Sequence, residues 1–272
     1  MKNKLIALIT AYNEDLFLDE VIASTYNYFD EFIVTDTAIQ CMIDNGFPFS
    51  STDRTVEIVE KWKKTADKIH LIQPKIKPKN YTELSIPGFE LAKEMKGDWV
   101  IHLGADEVWE EKSLKPMRNI LMNCEKNGIL GLNVHMRYFS PDFWHYKPFY
   151  NPRIARLTED ACLPFNTGDV VGWKRGVWQS IELDKIPEKV RKVNADYPSF
   201  LKVFHYSGVG KKRIEFKEKF YEIYEGHTRG SIHLKHYLNG NWDFFKQQGY
   251  REFTGQHPEI MRSHYLYLER FY

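Results

Sequence analysis

The stretch Gly97-Asp-Trp-Val-Ile-His-Leu-Gly-Ala-Asp-Glu107 decides the fold. From Asp98 to Leu103 it is a short, nearly unbroken apolar run that stops on Gly104-Ala105-Asp106-Glu107, the pattern of a strand buried on both faces whose carboxyl end delivers acids. The same pattern recurs upstream. Lys4 to Thr10 is an apolar run ended by polar residues, Glu31 to Thr35 is a second that stops at Asp36, and Lys68 to Ile72 is a third. Helical spacings lie between them: Leu18, Val21, Ile22, Thr25 and Tyr26 behind Asn13, read as a cap, and Val56, Ile58, Val59 and Trp62 behind Ser51-Thr-Asp-Arg54. A further helix is expected around Phe89 to Met95. Strands alternating with helices predict an α/β fold with a parallel sheet and helices on both faces. In such sheets ligands bind beyond the carboxyl ends of the strands, so Asp36 and Asp106 are candidate site acids, with helix capping as the plain alternative.

Composition narrows the class. In 272 residues, 38 Lys and Arg stand against 37 Asp and Glu, a net charge of +1, with 43% hydrophobic and 28% charged residues. This balance excludes a disordered chain, and charge alone points to no polyanionic partner. Cys41, Cys124 and Cys162 are far apart and form no Cys-x-x-Cys spacing, so a reduced, cytoplasmic compartment is expected. The apolar run Leu5 to Ile9 meets Asn13-Glu14-Asp15 too soon for a signal peptide, and nowhere do about 18 apolar residues run together to cross a membrane. Peripheral membrane attachment stays open.

Four blocks in order, Ala7-Leu-Ile-Thr-Ala-Tyr-Asn-Glu14, Phe32-Ile-Val-Thr-Asp36, Ser51-Thr-Asp-Arg-Thr55 and Gly97 to Glu107, resemble the signature blocks of GT-A-fold glycosyltransferases of the large family-two-like group. The similarity continues more thinly in Asn151-Pro-Arg-Ile-Ala-Arg-Leu157 and Lys202-Val-Phe-His-Tyr206. It implies a GT-A-like (Rossmann-like), mostly parallel central sheet flanked by helices, with residues 1–110 as the nucleotide-sugar half and 111–210 as the acceptor-side half of one domain. It also implies a nucleotide-diphosphate sugar as donor and Mn²⁺ or Mg²⁺ bridging its phosphates. Thr10, Ala11 and Glu14 match the first nucleotide-contacting loop, Asp36 the acid that reads base or ribose, Asp106 the last acid of the Asp-x-Asp metal motif, and His205 the histidine that completes the metal shell. A core histidine with satisfied hydrogen bonds is the alternative for His205.

The departures from the pattern are specific. Gly104 stands where the metal motif usually opens with an acid, leaving Glu107 or a water to substitute. Asp36 and Asp53 stand 17 positions apart where the family pattern puts the pair about five apart, so some dozen residues are inserted within Thr37 to Ser50, expected beside the nucleotide pocket or as a plain surface loop. Leu84-Ser-Ile-Pro-Gly-Phe89 lacks the Arg-Asn pair often found in relatives.

An inverting transfer needs a carboxylate to take the acceptor's proton. Asp169 is the first candidate for this catalytic role and Glu182 the second, with a solvated loop acid as the alternative for each. Arg153 and Arg156 are candidate phosphate clamps, or surface partners of acids such as Glu159. The aromatic run Phe143 to Tyr150 reads as an acceptor-side loop or as rings packed on the sheet. Fourteen of the 41 Phe, Tyr and Trp fall in residues 211–272, which read as a helical, aromatic-rich C-terminal extension used for packing or homo-oligomer formation. Lys211-Lys212-Arg213 is a basic cluster too short to assign to nucleic acid or lipid headgroups, and His233 with His236 is a candidate metal pair with structural use as the alternative. The expected function is metal-assisted, inverting transfer of a sugar from the nucleotide donor to a glycan, lipid-linked, protein or modified-nucleobase acceptor. The rivals are a catalytically silent sugar-nucleotide or glycan-binding protein, and a nucleotidyltransferase, disfavoured because no Gly-rich phosphate loop follows the first strand.

Overall fold

A computed structural model describes residues 3–127, 131–157, 171–174, 177–180, 201–225, 235–236 and 239–268. Asp169, Glu182, Glu159, Cys162 and His233 lie outside the described residues. The chain runs β1 (Leu5–Ala11), α1 (Leu18–Thr25), β2 (Glu31–Asp36), α2 (Gln40–Asp44), α3 (Thr55–Lys63), β3 (Ile69–Ile72), α4 (Tyr81–Glu94), β4 (Trp99–Gly104) and β5 (Glu107–Trp109). It continues with α5 (Glu111–Leu114), α6 (Met117–Lys126), β6 (Gly131–Phe139), β7 (His145–Arg156), β8 (Val171–Lys174), β9 (Val177–Ser180), β10 (Lys202–His205) and α7 (Lys211–Glu225). Last come α8 (Trp242–Gln247), β11 (Arg251–Glu252), a 3₁₀ turn at Glu259–Ser263 and α9 (Tyr265–Leu268). Among the described residues no helix is long and apolar enough to cross a membrane.

The apolar runs become strands because both of their faces are covered. On β1, Leu5, Ala7 and Ile9 pack with Leu18, Val21, Ile22, Ile58 and Val59 from α1 and α3, while Ile6 and Leu8 pack with Phe89 and Ala92 from α4 on the other face. Removing one such Ile or Leu side chain to Ala costs about 2–5 kcal/mol. The main sheet has the order β3-β2-β1-β4-β7-β6-β10-β5, with β11 added on β7, and β8 pairs with β9 separately. From β3 to β4 all pairings are parallel, as the repeating β-α-β pattern requires. Beyond β4 the sheet turns antiparallel at β7 and again at β6, and returns to a parallel pairing between β6 and β10.

Three local expectations change. Asn13 does not cap α1: the helix begins after Phe17, and Asn13 sits at φ 52° with its Oδ1 accepting from the Thr52 N–H. Helix α4 starts well before Phe89, at Tyr81, where the Asn80 side chain caps the Glu83 N–H and the Glu83 carboxylate accepts from the Lys79 N–H. The aromatic run from Phe143 is no loop: residues 145–150 are strand β7, and buried Phe143 packs on Tyr206, His257 and Tyr267. Packing on the sheet therefore accounts for Phe143. Described segments after 210 pack on the sheet and its helices: β11 pairs with β7, Phe253 and Met261 belong to the main core, and His264 Nε2 donates to the Leu16 carbonyl.

Candidate functional site

The carboxyl ends of β1, β2, β4 and β10 open on one cavity of about 260 Å³. Strand register builds it. Thr10 lies opposite Gly104 across the β1–β4 pair, and His205 lies opposite Glu107 across the β10–β5 pair. The Tyr206 N–H donates to the Asp106 carbonyl, which fixes the turn carrying both acids against β10.

The block Ser51 to Thr55 holds the first loop in place. Backbone N–H groups of Asn13, Glu14 and Asp15 donate to Ser51 Oγ, Thr55 Oγ1 and Asp53 Oδ2 at 2.8, 2.8 and 3.0 Å. Three backbone donors are thereby satisfied by side chains, and Glu14 is aimed into the cavity, which Thr10 and Ala11 also line. The Asp36 carboxylate, read from sequence as the base or ribose contact, is wholly buried, accepts from Ser51 Oγ at 2.5 Å and from Gln73 Nε2 at 3.3 Å, and is not among the lining residues. Thr37, Ala38 and Ile39 of the insert line the cavity instead, together with Met42 of α2.

Four acids and bases meet at the end of β4. His205 Nε2 lies 3.3 Å from Asp106 Oδ1, and its buried Nδ1 has no partner among the described residues. Burial opposes ionisation of Asp106, but His205 and Arg213 outweigh it and hold the carboxyl well below the usual carboxylate range. Glu107 is 1% exposed at the side chain and takes Arg153 in a bidentate pair, Nε to Oε2 at 3.1 Å and Nη2 to Oε1. Burial opposes its charge too, and Arg153 overcomes it, so its carboxyl also falls below the ordinary range. Behind them His102 is pushed down to about 4, first by burial and then by Arg153.

This packing explains Gly104. A Cβ there would come within 2.8 Å of the Glu107 carboxyl carbon and Oε1 and within 2.9 Å of Asp106 Oδ1. The space in which another side chain would start is taken by the Glu107 carboxylate, so an acid at 104 and this conformation of Glu107 exclude each other. Asp106, Glu107 and His205 each offer one ligand atom, and these atoms lie within 4.8 Å of one another. Two carboxylates and an imidazole are a donor set that suits Mn²⁺ or Mg²⁺.

Of the two candidate phosphate arginines, the structure brings in Arg153 and leaves out Arg156, whose Nη2 pairs with Glu125 Oε1 at 2.6 Å. Three positions apart on a strand, they point to opposite faces. Helix α7 supplies what the sequence reading missed. Arg213 is not part of a surface basic cluster: 3% exposed at the side chain, it donates from Nη1 to Glu14 Oε2 and from Nη2 to Asp106 Oδ2 at 2.5 Å. Burial lowers its pKa but Glu14 and Asp106 raise it further, so it is charged at every working pH. Lys217, one turn on, lies with Nζ 3.3 Å from Glu14 Oε1. Phe216, Phe220, Tyr221 and Tyr224 carry the wall on to Tyr81 of α4. The signal was present as spacing: 213, 216, 217, 220 and 224 form one helical stripe, and cations on a stripe shared with aromatic rings have to find acidic partners. His236 stacks on Phe244 at 3.8 Å and bonds Asn241, a structural use.

A family model described as Glycosyl transferase family 2 matches residues 6–183, more than half of the chain. This chain belongs to glycosyl transferase family 2. The match stops short of α7, so the helix that holds Glu14 and Asp106 lies beyond the matched residues. Among solved structures it is similar to S. aureus TarS 1–349, at 14% identity and TM-score 0.44, covering 81% of this chain and 63% of that one. It is also similar to glucosyl-3-phosphoglycerate synthase from Mycobacterium tuberculosis in complex with Mn²⁺, UDP and glucosyl-3-phosphoglycerate, at 17% identity and TM-score 0.34, over 50% of this chain and 44% of that one. A third likeness is to 4-diphosphocytidyl-2C-methyl-D-erythritol synthase from Anaerococcus prevotii, at 14% identity and TM-score 0.33, over 57% and 70% of the two chains. No curated protein matches.

Proposed function

We propose that this family 2 glycosyltransferase moves a sugar from a nucleotide-diphosphate sugar to an acceptor hydroxyl, with inversion, and that Asp106, Glu107 and His205 hold Mn²⁺ or Mg²⁺. The observation that carries the reading is the convergence of Glu14, Asp106, Glu107 and His205 on one cavity at the carboxyl ends of the strands, within a chain of this family. When bound, the metal supplies Lewis-acid neutralisation of the departing nucleoside diphosphate. The protein's own part is separable from that. Arg213 holds Asp106 by Oδ2 and leaves Oδ1 toward His205. Arg153 keeps Glu107 ionised in a buried place. The insert residues Thr37 to Ile39, with Thr10 and Ala11, form the wall for the nucleoside, and Asp36 supports that wall from behind. For the proton of the acceptor hydroxyl, Asp169 is the first candidate and Glu182 the second. The acceptor is a hydroxyl of a glycan, a lipid-linked sugar, a protein side chain or a modified nucleobase.

The test is a thermal-shift screen of uridine, guanosine and thymidine diphosphate sugars with and without Mn²⁺, followed by donor hydrolysis on the best hit. A donor at 100 times its Kd stabilises by about 2.7 kcal/mol. At about 2.1 cal/mol/K per residue over 272 residues, roughly 0.57 kcal/mol/K, that raises Tm by about 5 °C. Asp106→Ala is expected to remove the metal-dependent part of the shift and the hydrolysis. If no nucleotide sugar shifts Tm, or Asp106→Ala binds and turns over as before, the proposal is wrong; binding without any hydrolysis or transfer marks a silent sugar-nucleotide-binding protein.

A further inference from the structure

Three cations stand around the acids of the site, and they differ in what it takes to release them. Among the described residues Arg153 alone forms an ion pair with Glu107, and it does so bidentately, so withdrawing it toward a ligand strands a carboxylate that is 1% exposed. Arg213 is 3% exposed, bridges Glu14 and Asp106, and is not among the residues lining the cavity. Lys217 is different on each count. It lines the cavity, its side chain is 21% exposed, and among the described residues its ion pair is a single contact of 3.3 Å to Glu14 Oε1. Glu14 meanwhile keeps Arg213 on its other oxygen. Lys217 can therefore leave Glu14 without stranding a buried charge, and its ammonium has three donors on a flexible stem to offer a new anion.

We propose that Lys217 receives the diphosphate of the donor, exchanging its contact with Glu14 for phosphate oxygens, while Arg213 stays behind to hold Glu14 and Asp106. This rests on the nucleotide-sugar reading above and adds the residue that meets the phosphates. The helix gives the ligand a direction. Lys217 sits near the acid end of the cavity, and Phe220 and Tyr224, further along the same stripe, meet Tyr81 in the aromatic part. From position 217 to 224 the helix advances about 10 Å. A ligand with an anionic end and a flat, half-polar end matches that gradient, the anion at Lys217 and the ring system toward Tyr81 and Tyr224.

The probe is inorganic pyrophosphate, which carries the anion without any base or sugar. Calorimetric titration is done on the whole chain in EDTA, so that no metal contributes. The wild type is expected to bind it, Lys217→Ala to weaken it at least about tenfold, and Lys217→Arg to keep most of it, because each loses or keeps one charge-assisted contact. Lys217→Gln, of similar length, is run beside Lys217→Ala, and far-UV circular dichroism melts confirm that each variant folds. Lys212→Ala, an exposed lysine on the same helix, is expected to bind as wild type. The proposal is overturned if the wild type does not bind pyrophosphate, if both Lys217→Ala and Lys217→Gln bind as wild type, or if Lys212→Ala weakens binding as much as they do. Failure of the donor reading is separate: pyrophosphate is then held through Lys217 while no nucleotide sugar binds or is hydrolysed.

Discussion

Replacing Arg153 with Met removes the counter-charge of Glu107 and leaves much of the side-chain volume in place. Glu107 is buried, and both of its oxygens are taken by the one guanidinium. Breaking a buried pair from one side costs about 3–5 kcal/mol, because the remaining ion has neither water nor partner. Divided by the roughly 0.57 kcal/mol/K expected for 272 residues, this is a fall in Tm of about 5–9 °C at neutral pH. The pH dependence carries the sharper signature. In the wild type the folded pKa of Glu107 is depressed, so its stabilisation is present above the ordinary carboxylate pKa and lost as pH falls through the lower, folded value. In Arg153→Met burial, with the Asp106 charge beside it, is opposed only by His205 and raises the folded pKa, so the variant is penalised increasingly as pH rises above the unfolded value. The gap between the two proteins is therefore expected to widen from about pH 4 to pH 7. The double variant Glu107→Gln with Arg153→Met, which buries no charge at all, is expected to recover more than half of the loss. Calorimetric melts of the wild type, Arg153→Met and the double variant at intervals from pH 4 to pH 8 decide it. A gap that does not change with pH, or a double variant no more stable than Arg153→Met, refutes the reasoning.

Two further outcomes follow from the same geometry. Gly104→Ala pushes a methyl group to within 2.8 Å of the Glu107 carboxyl, so Mn²⁺ affinity read by electron paramagnetic resonance titration is expected to fall roughly tenfold or more; unchanged affinity means Glu107 does not matter to the metal. Away from the site, His257 is pushed down from 6.5 to about 4 by burial, with Nε2–H donating to the Phe143 carbonyl and Nδ1 accepting from the Tyr206 hydroxyl. Its folded pKa is below its unfolded one, so its contribution, about 3 kcal/mol, is complete above pH 6.5 and lost as pH falls toward 4. Melts of wild type and His257→Gln across that window are expected to show a shallower slope in the variant, and equal slopes would sink the assignment.

The strands were legible because burial on both faces leaves continuous apolar runs, and the acids at their ends were legible because polar residues there have few other uses. Ser51 to Thr55 was read as a helix start, yet its side chains also satisfy the N–H groups of residues 13–15, a long-range task that local spacing does not disclose. Arg156 and Arg153 look alike in sequence and differ only by which face of β7 they occupy. The aromatic run at 143–150 carried a choice between stacking on a ligand and packing on the sheet, and only the position of His257 and Tyr267 resolves it for Phe143. Arg213 was hidden by its neighbours: beside Lys211 and Lys212 it reads as solvated charge, while its partners stand 199 and 107 positions earlier.

That separation sets an order of events during synthesis. When Glu14 and Asp106 leave the ribosome, the residue that will neutralise both is still untranslated, and at 5–20 residues per second Arg213 follows Glu14 by about 10–40 s. Through that interval both carboxylates have to stay hydrated, because without Arg213 neither can be drawn out of water cheaply. The nascent first half can build its parallel strands and their helices but cannot dry its own acidic end. The cavity at the strand ends gains its α7 wall only when that helix docks, so its lining is completed by the last third of the chain.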